Sequence, residues 1–233
     1  IEKGTLNVSK IDAVVIDEAD EMLNMGFIEQ VESIMNAIPN RKNTYLFSAT
    51  FSDEILALIK RYTNNAEFIE LVKKEEAPKI AHYMLQVEDE KKIDLLQKLL
   101  KVENPDQCII FCRTKDRVDE VHDILYELQY SVDELHGGMD QSTRLLVMND
   151  FKRGDFRYLV ATDVAARGID VDNISHVFHY DLPLEKEAYV HRTGRTGRAG
   201  KEGKAFTFVT PYENEFLARL EDYLGFSFEV KEM

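Results

Sequence analysis

The sequence predicts an α/β protein built on parallel sheets. Three observations carry that prediction. Apolar runs of strand length recur along the 233 residues. Amphipathic segments of helical period stand between them. The runs are continuously apolar instead of alternating, as strands covered on both faces are.

Taken in order, the first run is AVVI at 13–16, which ends directly in Asp17-Glu18-Ala19-Asp20. TYLF at 44–47 ends in Ser48-Ala49-Thr50, and EFIEL follows at 67–71. The stretch VKKEEAPKIAH at 72–82 then interrupts the pattern, being charged, without helical period and broken by Pro78. It predicts a linker at 73–80 between a first unit at 1–72 and a second at 81–233. In the second unit YMLQV at 83–87 precedes a helix with Ile93, Leu96 and Leu100 on one face. CIIFC at 108–112 precedes another, marked by Val118, Val121, Leu125 and Leu128. SVDEL (131–135), RYLVA (157–161), HVFHY (176–180) and AFTFV (205–209) supply further strands, and a helix at 212–223 closes the series. The second unit has ordinary domain size, whereas the first is short for a self-sufficient doubly wound domain.

Composition narrows the function classes. No apolar run approaches the ~20 residues of a membrane helix, so no membrane partner is expected. The opening IEKGTLNVSK is charged and predicts no secretory signal, and Ile1 in place of Met predicts a cut start. Cys108 and Cys112 lie four apart on one strand and so share a face. With no further zinc ligands nearby they predict buried thiols in a reducing, cytoplasmic setting. A net charge of -14 argues against a general polyanion binder. Yet residues 191–204 hold five Lys or Arg against Glu202 alone, a local net of +4.

Several strand ends carry side chains with chemistry. Ligands of open α/β sheets bind beyond the carboxyl ends of strands. There Asp17 can hold a hydrated Mg2+ and Glu18 can act as base toward a water; a solvated acidic turn is the alternative. Ser48 and Thr50 suit a helix N-cap, and can also bond an acid such as Asp20. In ATDVAARGID, Thr162 can donate to a phosphate, Gly168 allows close backbone approach, and Asp170 can accept from ribose hydroxyls. In HRTGRTGRAG, Arg195 and Arg198 share a face if the segment is helical, with His191 one turn earlier. The arginine fork suits phosphate, although a solvated basic helix or an RNA-binding Arg/Gly segment shares the composition.

VVIDEADEMLNMGF, LFSAT, IIFCRTK, HGGMDQSTR, ATDVAARGID and HRTGRTGRAG occur in that order. Together they resemble the DEAD-box RNA helicases of superfamily 2, across nearly the whole chain. The resemblance implies RecA-like domains, one partial and one complete, closing over ATP, Mg2+ and single-stranded RNA. It implies that Asp17 and Glu18 serve the metal and the hydrolytic water. Asp20, Ser48, Thr50 and His191 would couple the domains. Gly168 and Asp170 would sit on the nucleotide, and Arg195 and Arg198 would be arginine fingers on the γ-phosphate, with Phe111 packed behind. RNA would be held at phosphates and 2′-hydroxyls by Arg113, Thr114, Gly137, Gln141, Arg144, Thr162 and Asp163. The implied activity is RNA-stimulated ATP hydrolysis that unwinds short duplexes or remodels RNA–protein complexes. A non-enzymatic RNA-binding or scaffold module made from the second unit is the alternative. A DNA helicase of the same superfamily is a third reading.

One element of the family pattern is absent from these residues. A phosphate-cradling loop reads G-x-x-x-x-G-K-[ST]. The Gly-Lys pairs at 200–201 and 203–204 are preceded, five positions before each glycine, by Arg195 and Arg198, and followed by Glu202 and Ala205. Neither fits. The expectation is therefore that half or more of the first domain is missing and that the chain alone hydrolyses no ATP at a useful rate. The second domain is expected to fold alone, with residues 1–72 poorly ordered or aggregation-prone.

Overall fold

The computed structural model describes residues 6–24, 26–48, 51–69, 79–166, 171, 174–198 and 200–232. It divides into two compact units, residues 1–72 and 73–233.

In the first unit the elements are β1 (Ala13–Ile16), α1 (Ala19–Asn24), α2 (Ile28–Ala37), β2 (Asn43–Leu46) and α3 (Asp53–Tyr62). β1 and β2 pair in parallel, from Ala13 opposite Asn43 to Ile16 opposite Leu46. Alternation sends Val14, Ile16, Thr44 and Leu46 one way, and the apolar ones among them pack with Met35 and Leu58 from the helices. Arg41 ties this face together, donating to the carbonyls of Met35, Ile38 and Tyr62 and to Thr44 Oγ1 at 2.8–3.0 Å. Val15 and Tyr45 point the other way and stay 60% and 51% exposed. Cover on both faces was expected; among the described residues this small sheet has it on one. EFIEL departs too, since Glu67, Phe68 and Ile69 are not in a strand.

The second unit runs β3 (Ile80–Gln86), α4 (Lys92–Glu103), β4 (Cys108–Phe111), α5 (Lys115–Glu127), β5 (Val132–Leu135), α6 (Gln141–Arg153), β6 (Tyr158–Ala161) and α7 (Asp163–Ala166). It continues through β7 (His176–His179), α8 (Lys186–Thr193), β8 (Gly203–Val209), α9 (Asn214–Leu224) and β9 (Glu229–Val230). The sheet has seven strands in the order β5-β6-β4-β7-β8-β3-β9, all parallel. Every residue of β4, β6 and β7 is buried, as continuous apolar runs require. One face packs Leu96, Leu100, Val118, Val121 and Leu125 from α4 and α5. The opposite face packs Val147, Phe151, Ala165 and Ala166 from α6 and α7.

Two boundaries differ from expectation. β3 starts at Ile80, inside the segment taken as linker, because Ile80–His82 pair with Gly203–Ala205 of β8. The short β9 was not among the expected strands and is held by Tyr83 and Met84 of β3. Cys108 and Cys112 are free, buried and on one face with Ile110, and burial pushes both thiols well up. No helix among the described residues is long and apolar enough to cross a membrane.

Candidate functional site

Because all seven strands run the same way, their carboxyl ends gather on one edge. β5 leads to His136-Gly137-Gly138, β6 to Thr162-Asp163, β4 to Cys112-Arg113-Thr114, and β7 to Tyr180-Asp181. Most of the residues that sequence singled out in the second unit stand on this edge, since the topology puts strand ends there.

Arg192 is the centre of the edge. It comes from α8, is 2% exposed and lies with its guanidinium 5.1 Å from the Phe111 ring centroid. Its Nε and Nη2 hold both carboxylate oxygens of Asp163, the latter at 2.8 Å, and Nη1 donates to the Asp181 carbonyl at 2.6 Å. Asp163, expected on RNA, has both its oxygens engaged by Arg192. α8 is fixed from beneath by Tyr189, which stacks on His179 at 4.4 Å and bonds His82 Nδ1 at 2.8 Å.

Arg195 and Arg198 are not on a helix. α8 ends at Thr193, and the chain then turns with Arg195 and Thr196 amides bonding the carbonyls of Arg192 and Thr193. The condition for a shared i, i+3 face, a helical segment, is thus not met at these arginines. Gly197 and Gly200 have φ of +69° and +75°, so these glycines serve backbone turning that L side chains resist. Thr196 is buried, its hydroxyl donating to the Ile174 carbonyl at 2.6 Å. Arg198 Nε donates to the Gly194 carbonyl at 2.9 Å.

Among the other RNA candidates, Thr114 caps α5 by accepting from the Arg117 amide at 3.2 Å. Arg113 reaches the Leu182 carbonyl and pairs with Glu213 at 3.0 Å. Thr162 is half-buried, and its carbonyl accepts the Ala166 amide at 3.0 Å. Gly137 is exposed beside Gly138, whose amide donates to His136 Nδ1 at 3.1 Å. Gln141 and Arg144 occupy the first turn of α6, with Arg144 Nη1 donating to Gln141 Oε1 at 3.4 Å. Arg144 Nε is buried without a hydrogen-bond partner, and the start of α6 is capped by Asp140, whose side chain accepts the Thr143 amide at 3.0 Å.

In the first unit Asp17 and Glu18 follow β1 and are both exposed. The Glu18 amide donates to Asp17 Oδ1 at 2.9 Å, and Glu18 itself sits at φ +51°, a left-handed conformation uncommon outside glycine. Two exposed carboxylates at a strand end fit a largely hydrated Mg2+, which takes few protein oxygens. Asp20 is buried, and its amide donates to Ser48 Oγ at 3.2 Å. Thr50, Gly168 and Asp170 lie outside the described residues.

Asp119, Glu134 and His136 form the one cluster with metal-ligating geometry among the described residues. Its hydrogen bonding argues against that use. Gly138 donates to His136 Nδ1, so in the neutral ring the proton sits on Nε2, which faces Asp119 at 3.0 Å. A ring nitrogen that carries a proton has no lone pair to give a metal.

Sequence reasoning missed the buried charges Asp181 and Lys92. Lys92 Nζ bonds Asp181 Oδ1 and Asp89 Oδ1, each at 2.9 Å. Burial pushes its ammonium down, but the two carboxylates outweigh this and hold it up. The available signal was an Asp directly after the strand HVFHY, the same placement that drew notice at Asp17 and Asp163.

Comparison with known proteins adds to this geometry. Residues 91–200 match the helicase conserved C-terminal domain, and residues 1–58 match the DEAD/DEAH box helicase domain. The chain is 57% identical to the ATP-dependent RNA helicase DbpA of Bacillus subtilis over 230 residues, covering 98% of this chain and 48% of that protein. It thus spans about half the length of the curated relatives it matches. S. cerevisiae Dbp5 bound to RNA and ADP BeF3 is similar in structure, with TM-score 0.88 and 31% identity over 99% of this chain and 62% of that one. The E. coli DEAD-box protein SrmB bound to the regulator RraA aligns with TM-score 0.63 and 35% identity, over 66% of this chain and 92% of that one.

Proposed function

The chain belongs to the DEAD-box helicase family, and on that premise we propose that it forms the RNA-gripping, arginine-bearing part of an ATP-dependent RNA helicase. The observation that carries the reading is the common edge of the seven-stranded sheet. RNA candidates at Arg113, Thr114, Gly137, Gln141, Arg144 and Thr162 stand on the same edge as the helix that delivers Arg195 and Arg198. In this reading the first group holds RNA phosphates and 2′-hydroxyls, which makes binding independent of sequence. Arg195 and Arg198 offset charge on the γ-phosphate of ATP, an effect worth orders of magnitude in rate. Asp17 and Glu18 would hold Mg2+, which neutralises phosphate charge when bound. Asp163 acts indirectly, through Arg192. Two buried thiols suit a reducing, cytoplasmic compartment, which belongs to the same proposal.

The 233 residues contain no phosphate-cradling loop, so the polypeptide by itself is expected to bind RNA without hydrolysing ATP. The test is a chimera in which the N-terminal half of the Bacillus subtilis relative precedes this chain. RNA-stimulated ATP hydrolysis by the chimera, with none from the chain alone, supports the reading. Hydrolysis by the isolated chain would overturn the second part. A folded chimera that binds ATP and RNA yet turns nothing over would favour a non-enzymatic RNA-binding module.

A further inference from the structure

Asp181 is 6% exposed and makes four contacts, each to a different group. Its amide donates to the Phe111 carbonyl at 3.2 Å. Its Oδ2 accepts the Arg113 amide at 3.1 Å, so it grips β4 on both sides of Cys112. Its Oδ1 accepts Lys92 from α4 at 2.9 Å. Its carbonyl accepts Arg192 Nη1 from α8 at 2.6 Å, and the same guanidinium lies over the Phe111 ring. One buried residue therefore touches the strand end that presents Arg113 and Thr114, and the helix that precedes Arg195 and Arg198.

We propose that Asp181 is a positioning residue that locks the RNA-facing end of β4 to α8, the helix that leads into Arg195 and Arg198. A buried carboxylate must keep its hydrogen-bond partners, because leaving one unpaired costs more than a surface bond returns. The backbone at Arg113 thus cannot shift while Asp181 stays still. Asp181 cannot shift without carrying Arg192, whose fork is held on its other side by Asp163 beside Thr162. Two RNA-side strand ends and α8 then behave as one body, and RNA binding at the edge fixes the approach of Arg195 and Arg198.

The inference rests on the RNA-binding reading above, and its test separates the two. Lys92→Met is combined with Asp181→Leu or with Asp181→Asn, so that neither variant buries a lone charge. Asn keeps an acceptor for the Arg113 amide; Leu does not. The readout is affinity of the 233-residue chain for a single-stranded oligouridine, by fluorescence anisotropy, beside melting temperature. The expected result is affinity about tenfold weaker for the Leu double variant and near wild type for the Asn one, at similar melting temperatures. Equal affinities, or a loss that follows melting temperature, would overturn the positioning role. Absence of RNA binding by the wild-type chain would instead defeat the function reading. Should the Leu variant not fold, hydrogen exchange on the wild-type chain decides. RNA is expected to slow exchange at the Arg113 amide and the Arg192 Nε–H together, and protection of Arg113 alone would sink the one-body claim.

Discussion

Arg192 shows how much one guanidinium can organise when it is taken out of water. It uses its fork on Asp163, another donor on the Asp181 carbonyl and its face on Phe111. Replacing it with leucine removes all three and leaves a carboxylate without its partner. Breaking a buried pair from one side costs about 3–5 kcal/mol, and the lower end is expected here because Asp163 keeps 31% of its side-chain exposure. Arg192→Lys keeps the charge but not the bidentate fork, and is expected to lose less. Urea unfolding of the three chains checks the order wild type, Lys, Leu; a Leu variant as stable as wild type would refute it. Sequence displayed Arg192, Arg195 and Arg198 as one repeating set, since spacing reports position along the chain and not burial. Only packing shows that the first points inward to an aspartate, while Arg195 and Arg198 follow in a glycine-turned segment.

Between elements, the acid at the end of α4 acts as a pin. Glu103 accepts from Lys204 of β8 and from Lys231 just after β9, each at 2.6 Å. Burial pushes its carboxyl up, but the two ammoniums outweigh this and hold it down at about 2. The unfolded chain releases that proton at about 4.3. A carboxylate depressed in the folded state adds stability above the unfolded value and loses it as pH falls through the folded one. The melting temperature of the chain is therefore expected to fall between about pH 4.3 and pH 2 through this group. Glu103→Gln should melt lower at pH 7 and fall less steeply below pH 4.3 than the native chain. Parallel pH–melting curves, offset by a constant, would show that the pin carries no proton linkage. Nothing in the sequence joins 103, 204 and 231. The strands were legible because apolar runs report burial directly, whereas this pin depends on β8 and β9 flanking β3, a long-range pairing that local periodicity does not encode. β9 had a local signal in the alternation FSFEV at 226–230, but not its partner, since it pairs with β3 across nearly 150 residues of chain.

At the scale of the molecule, the two units differ in what holds them. Among its described residues the second has seven parallel strands with apolar cover on both faces. The first has two paired strands, one covered face, and Val15 and Tyr45 exposed on the other. A two-stranded sheet is marginal in water unless helices cover it, and here they cover one side. In sequence the charged stretch with Pro78 interrupts the apolar pattern just after the division between the two units. Sequence read the strand-end acids correctly as strand ends, and could not tell which of them, like Asp163, would turn inward to a buried arginine. The asymmetry leads to a definite expectation for unfolding. A polypeptide of residues 73–233 should fold alone and unfold cooperatively in urea, at the midpoint of the main transition of the whole chain. Residues 1–72 alone should give a broad, low-amplitude transition, because the area buried by one small sheet face is little to set against chain entropy. Circular dichroism on the three polypeptides measures this. If 73–233 unfolds at much lower urea than the whole chain, the units stabilise one another and the independence argued from their separate cores is wrong.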